Sequence, residues 1–321
     1  MTHSIHHDTF WDQVPAEYLR TLVEQGRSNG LPTSIFSLGD PHRLETPGVV
    51  VIKAGGEHTF PRHCHDCERF EVVLAGSFTD ATGHEYRAGD IMIAHHMEMY
   101  GPHLATSEGY IVLELFGSML GTYELFWDTR RGPRKTNKID EDAAAQSADG
   151  AVSDLPVSGT APPQSGKVER GVSLLSIHDD SFWNHVPATY LQPLVDGCGV
   201  IEGMAYRMFV LGDPDDPEAP TAVVFRAPPG YVLPRHSHDC HRFEVVVQGS
   251  LTDEHGAVGA AGSVMTAEPN QMYGPSVAGA EGYISVEIFS RLAGAYEITW
   301  DTARGPWLQR IVERPDSPVD R

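Results

Sequence analysis

The chain has 321 residues, enough for two domains of ordinary size that each bury a core. It carries 23 Lys and Arg against 44 Asp and Glu, a formal net charge of −21, which argues against nucleic acid or an anionic membrane as the main partner, since both reward basic patches. Four cysteines (Cys64, Cys67, Cys198, Cys240) are too few for a disulfide scaffold, no apolar run is long enough to span a bilayer, and the first residues lack a secretory apolar stretch, so a cytoplasmic location is expected.

From the N-terminus, Trp11, Val14, Tyr18, Leu19 and Leu22 recur at helical spacing behind Asp8, which predicts a short amphipathic helix with Asp8 as its N-cap. Short β-branched runs separated by Gly and Pro follow: Gly48 to Ala54, Phe70 to Leu74, Asp90 to Ala94 and Tyr110 to Phe116. Strands of this length and spacing, with little further helix, predict an all-β sandwich or barrel. Residues 135 to 170 are rich in Ala, Ser, Asp, Pro and Gly and read as a flexible linker.

Beyond it the first pattern returns. Pro61-Arg62-His63-Cys64-His65-Asp66-Cys67-Glu68-Arg69-Phe70-Glu71 recurs as Pro234-Arg235-His236-Ser237-His238-Asp239-Cys240-His241-Arg242-Phe243-Glu244, an offset of 236 − 63 = 173 residues. Phe10-Trp11 matches Phe182-Trp183, and Met99-Tyr100-Gly101-Pro102 matches Met272-Tyr273-Gly274-Pro275. The chain is a tandem duplication, with a first domain expected over 1–134, a linker over 135–170, a second domain over 171–313 and a tail over 314–321.

Histidines spaced i, i+2 on extended backbone face the same way and can meet at one metal ion, so His63 with His65 and His236 with His238 are the candidate metal ligands. Cys64 and Cys67 form a C-x-x-C pair, but Ser237 replaces Cys64 in the second copy, so the thiols read as buried small residues rather than ligands. Arg69 with Glu71, and Arg242 with Glu244, have two readings: an internal ion pair, or an arginine that grips a substrate carboxylate beside a glutamate acting as ligand or base. Tyr100 and Tyr273 are either core residues with satisfied hydroxyls or substrate contacts. Glu114 and Glu287 lie mid-strand among large apolar residues on both faces, and alternation leaves their direction open.

These motifs resemble the cupin family, whose fold is a small jelly-roll barrel. Gly56, His63, His65 and Gly76, like Gly230, His236, His238 and Gly249, stand where the family's first motif has its glycines and His-x-His pair, and Gly89-Asp90 opens the second motif. The resemblance covers both halves and implies a bicupin: two tandem double-stranded barrels, each preceded by a short helix. It departs at two positions. Arg69 and Arg242 occupy the place of the family's glutamate ligand, with Glu71 and Glu244 two residues on, and Tyr100 and Tyr273 occupy the place of its last histidine. His95 or His96, present only in the first copy, offers a third imidazole; His241 offers the second copy a rival ligand.

What the resemblance implies is a metal-dependent enzyme acting on a small, anionic organic molecule, with Fe(II) the first expectation for the divalent transition metal and Zn, Mn or Ni the alternatives. A non-haem Fe(II)-type dioxygenase is the leading reaction class. A lyase or isomerase using the metal as a Lewis acid, and a non-catalytic module binding a sugar or acid, are the rivals. The catalytic set is expected among Arg69, Glu71, Tyr100, Arg242, Glu244 and Tyr273, more in the first copy than in the second, and the expected assembly is an internal dimer of the two barrels, alone or assembled further as a homodimer.

Overall fold

The computed structural model describes residues 3–129, 132–137 and 173–312. The chain folds into two compact units: Asp12–Ser37 with Pro41–Ser176, and Met1–Trp11 with Leu38–Asp40 and Ile177–Arg321. Each unit is a two-sheet antiparallel β barrel, and the fold is all-β as the strand spacing predicts.

In the first barrel the large sheet runs in the order Ser173–Ser176, Asp90–Ala94, Arg69–Thr79, His103–Phe116, Gly48–Ala54, Thr33–Ser37. A smaller sheet pairs Arg134–Asn137, Glu124–Trp127 and His63–Cys64. The strands form where β-branched residues cluster: Gly48–Ala54 is Val-Val-Val-Ile at its centre and buries both faces. Burial on both faces is why alternation in the sequence cannot tell inside from outside on the central strands. The long strand Arg69–Thr79 kinks at two register shifts beside Gly76. Gly76 holds φ +67°, where a Cβ would strike the carbonyl of Gly109, so glycine is required there on two counts. Gly249 repeats the arrangement against Gly282.

The second barrel repeats the order with Ser263–Ala267, Arg242–Thr252, Ser276–Phe289, Thr221–Ala227 and Ala205–Val210, and its small sheet holds His236–Ser237, Glu297–Thr302 and Gly305–Arg310.

Three expectations change. The domain boundaries at 1–134 and 171–313 miss an exchange of edge strands: His3–Ser4 pairs with Ser263 and Val264 of the second barrel, and Ser173–Ser176 pairs with Asp90–Ile93 of the first. The helix begins later than expected, at Arg20, and runs to Ser28. Asp8 instead opens a separate 3-10 turn, Asp8–Phe10, because Asp12 takes a left-handed conformation (φ 72°) and Pro15 follows. Arg134–Asn137, at the edge of the expected linker, is a strand on Glu124–Trp127. The rest of that linker, from residue 138, and the expected tail 314–321 lie outside the described residues.

Candidate functional site

His63 lies on the short strand that pairs with Phe126 and Trp127, and its backbone exchanges two hydrogen bonds with Tyr100 (N–O distances 3.0 and 2.9 Å). That bridge brings Tyr100, 37 positions away by 100 − 63, onto the face of the histidine pair. The His63 and His65 rings stand 5.2 Å apart between centroids at 76° to each other, and the Tyr100 ring lies 4.4 Å from that of His63. The second barrel repeats this with His236, His238 and Tyr273, at 5.2 Å and 83° for the histidine pair and 4.5 Å for His236 with Tyr273.

Backbone carbonyls set the ring orientations. Pro61 and Glu124 accept from Nδ1 of His63 (2.8 Å) and His65 (3.1 Å); Pro234 and Gly294 accept from Nδ1 of His236 (2.7 Å) and His238 (2.6 Å). An imidazole that donates from Nδ1 keeps the Nε2 lone pair for another partner. Burial holds the His63 imidazole well below its ordinary pKa, with the neighbouring His65 adding to the effect. Burial likewise takes His236 down to about 4 and His238 to about 3, so these rings are neutral at pH 7. Burial pushes both tyrosine hydroxyls well above 10, against the pull of the nearby arginines, so each keeps its proton.

Beneath the imidazoles lies a buried ion cluster. Glu71 and Glu114 are directly opposed on neighbouring strands, an arrangement that repels unless a cation intervenes. Arg69 supplies it: Nε and Nη2 reach Glu114 Oε1 at 2.8 and 2.7 Å, Nη2 also contacts Glu71, and the guanidinium lies 4.0 Å from the Tyr100 ring centroid. Arg242 does the same for Glu287 (3.0 Å) and Glu244 (2.7 Å), and stacks 4.5 Å from Tyr273. Burial raises the Glu244 carboxyl against the pull of Arg242, while Arg242 itself is held charged, despite its burial, by the two carboxylates. The direction of Glu114 and Glu287 is thus decided: both point inward.

Above the first barrel's cluster opens a cavity of about 300 Å³. Its floor holds His63, His65, Glu71 and Glu114, its walls Thr33, Ile35, Val50, Ile52 and Phe116, and its open end Asn29 and Arg134. His103 also lines it, buried and stacked 4.2 Å from the Phe78 ring centroid. The third imidazole of the first barrel is therefore His103, whose pKa burial lowers to about 3. His95 and His96 instead stand exposed, paired with Glu68 and Asp66. His241 pairs outward with Glu268 at 3.2 Å, so it is no rival to the pair inside. The thiols of Cys64, Cys67 and Cys240 are each raised to about 11 by burial, which leaves them protonated and poor ligands.

The fold thus brings together His63, His65, Arg69, Glu71 and Tyr100 in the first barrel and His236, His238, Arg242, Glu244 and Tyr273 in the second, and leaves His95, His96 and His241 outside. Arg69 and Arg242 are taken up by internal ion pairs, the plainer of their two readings. Phe60, Trp127, Thr33 and Ile52 line the cavity without having been singled out; comparing the two copies position by position was the signal that could have found the last two.

A divalent metal can be tested against these donors. Among the described residues no three His, Cys, Asp or Glu side chains group as a metal-binding set. Two imidazoles per barrel, oriented by carbonyls through Nδ1, do present ligand atoms, and Nε2 of His238 and the hydroxyls of Tyr100 and Tyr273 are buried without a hydrogen-bond partner. Buried polar atoms of this kind call for an ion, a water or a ligand. The donors fit an ion held by two imidazoles beside a phenol, with the carboxylates withdrawn by arginine.

No family model and no curated protein matches the chain. Similar solved structures include procruciferin, an 11S globulin from Brassica napus (10% identity, 84% of this chain and 83% of that one, TM-score 0.49). A variant of oxalate decarboxylase from Bacillus subtilis (14%, 91% and 77%, 0.45) and the coconut allergen cocosin (10%, 86% and 85%, 0.45) are others. Its own strand order, the duplicated His-x-His strand and the two glycine-pinned turns define two tandem barrels of one architecture, the fold that the resemblance to cupins implies.

Proposed function

We propose that the protein is a metal-dependent enzyme acting on a small anionic organic molecule, with a divalent transition metal held by His63 and His65, and by His236 and His238. The observation that carries this reading is the pair of buried, carbonyl-oriented imidazoles in each barrel, next to a buried hydroxyl with no hydrogen-bond partner. Imidazole donors suit iron, zinc, nickel and copper, and Fe(II) is our first assignment because so few protein ligands leave positions for substrate and dioxygen. The ion, when bound, supplies Lewis acidity and a place for those reactants.

The protein groups act around it. Tyr100 keeps its proton and donates a hydrogen bond to substrate oxygen. Arg69 holds Glu71 and Glu114 away from the ion, which keeps the number of protein ligands low. The apolar walls exclude water, and Arg134 at the open end draws in an anion. We assign a dioxygenase-type reaction first. A lyase or isomerase is the second reading, favoured by the buried Tyr100 hydroxyl, which can donate a hydrogen bond to an oxyanion that develops on the substrate. The four free thiols suit a reducing, cytoplasmic setting.

Anaerobic reconstitution with Fe(II), and separately with Mn(II) and Zn(II), followed by elemental analysis, is expected to show one ion per barrel. Oxygen uptake with a panel of aromatic and dicarbonyl acids then separates dioxygenase from lyase. Absence of stoichiometric metal with all three ions overturns the reading.

A further inference from the structure

The two barrels share their ion cluster and histidine pair but not the space above. In the first barrel Thr33 and Ile52 are cross-strand partners on the cavity wall. The same register in the second barrel pairs Tyr206 with Phe225, both buried. The change is felt through the interior. In the second barrel Tyr206, Met208, Val223, Phe225, Tyr283 and Phe289 belong to one continuous apolar cluster. Their first-barrel counterparts fall into two separate clusters, Ile35, Val50 and Phe116 in one and Tyr110 in the other, and the cavity lies among them. Phe225 closes the gap by meeting Tyr283 at 6.0 Å and Tyr231 at 6.5 Å between ring centroids. The polar lining differs in step: Arg134 at the open end is replaced by Trp307, and His103 by Ser276.

We propose that only the first barrel admits an organic ligand, a small carboxylate with an apolar body, and that Tyr206 and Phe225 have closed the second to everything but an ion or water. Thr33 and Ile52 are then the residues that set which molecules enter. A cavity of about 300 Å³ is at the lower end for small-molecule sites, and it combines apolar walls with a cationic entrance and, at the floor, two imidazoles beside glutamates already paired with Arg69. An aromatic or branched aliphatic acid fits that chemistry. The inference rests on the proposed function only in treating this cavity as the substrate's.

The test uses para-fluorobenzoate as the probe, followed by fluorine NMR on the full-length chain. The wild-type protein is expected to bind one equivalent saturably. Thr33→Tyr with Ile52→Phe should weaken binding at least tenfold, and Tyr206→Thr with Phe225→Ile should add a second equivalent. A readout independent of these wall variants is tryptophan fluorescence: Trp127→Phe should abolish the change on probe binding and Trp300→Phe should retain it. Two equivalents in the wild type, no saturable binding, undiminished binding in the Thr33/Ile52 variant, or a signal that follows Trp300 each overturns the inference. Metal analysis on the same samples separates the two readings, since one equivalent of probe without bound metal removes the enzyme reading and leaves the division between the barrels standing.

Discussion

The first and second barrels present the same buried floor under different interiors. Ion cluster, histidine pair, tyrosine and cis Gly-Pro bond (Gly101–Pro102, Gly274–Pro275) recur at equivalent positions, with ring separations equal to within 0.1 Å by 4.5 − 4.4 for the histidine–tyrosine pair. Above that floor, Thr33 and Ile52 line a cavity where the second barrel has the buried pair Tyr206 and Phe225. The floor and the space above it answer to different constraints. The floor is a mutually dependent set: removing Arg69 strands two facing carboxylates, and removing either carboxylate takes away one of the two partners that hold the buried guanidinium. The wall is a matter of volume, where a pair of residues can change size together without disturbing the strands that carry them.

If the floor is as interdependent in one barrel as in the other, Arg69→Met and Arg242→Met should each cost about 3–5 kcal/mol in chemical denaturation, since each leaves two carboxylates buried together. A much smaller loss in one barrel would show that its cluster is not a unit. A second comparison concerns metal. His63→Ala with His65→Ala, and His236→Ala with His238→Ala, are each expected to remove half of the bound metal in elemental analysis, because the donors are equivalent even where the cavities are not. Loss of all the metal in one double variant would move the site to that barrel alone.

Smaller effects refine the contrast. Tyr100→Phe and Tyr273→Phe each delete a buried hydroxyl that has no protein partner, so both should raise the stability of the metal-free protein by about 1 kcal/mol, read as a shift in thermal midpoint. Unchanged or lowered midpoints would mean that the hydroxyls are already satisfied. A further contrast is with pH. The pKa of His103 is about 3 in the folded chain against 6.5 in the unfolded one, so the unfolded state binds more protons between those values. Its contribution is fully present above about 6.5 and declines as pH falls through that window, by about 1.4 kcal/mol per pH unit at most. His103→Asn should flatten the acid limb of a stability curve, whereas Ser276→Asn in the second barrel should leave it unchanged.

Much of this was legible in the sequence because it depends on short spacing and repetition. The i, i+2 histidines, the duplicated string, the strand runs and the glycines at the turns follow from the period of extended backbone and from conformations that glycine adopts readily. The bicupin fold and the assembly of His63, His65, Arg69, Glu71 and Tyr100 were within its reach. Three things were not. The inward direction of Glu114 was hidden because its strand buries both faces, so no polar alternation marks the inside. The choice of His103 over His95 and His96 depended on which residues of one loop-and-strand segment enter the barrel and which face solvent. The exchange of edge strands brings together residues far apart in the chain, Ser4 with Ser263 and Ser176 with Asp90.

The sequence by itself determined the repeat, the barrel class and the identity of the polar floor, since each is written in local order. Only the tertiary structure decided that arginine is engaged by two glutamates rather than by a substrate, and that a cavity wall in one barrel is a buried aromatic pair in the other. Both depend on what lies across the sheet from a residue, Glu114 opposite Glu71 and Thr33 opposite Ile52 as against Tyr206 opposite Phe225, and strand register, not spacing along the chain, sets those pairs.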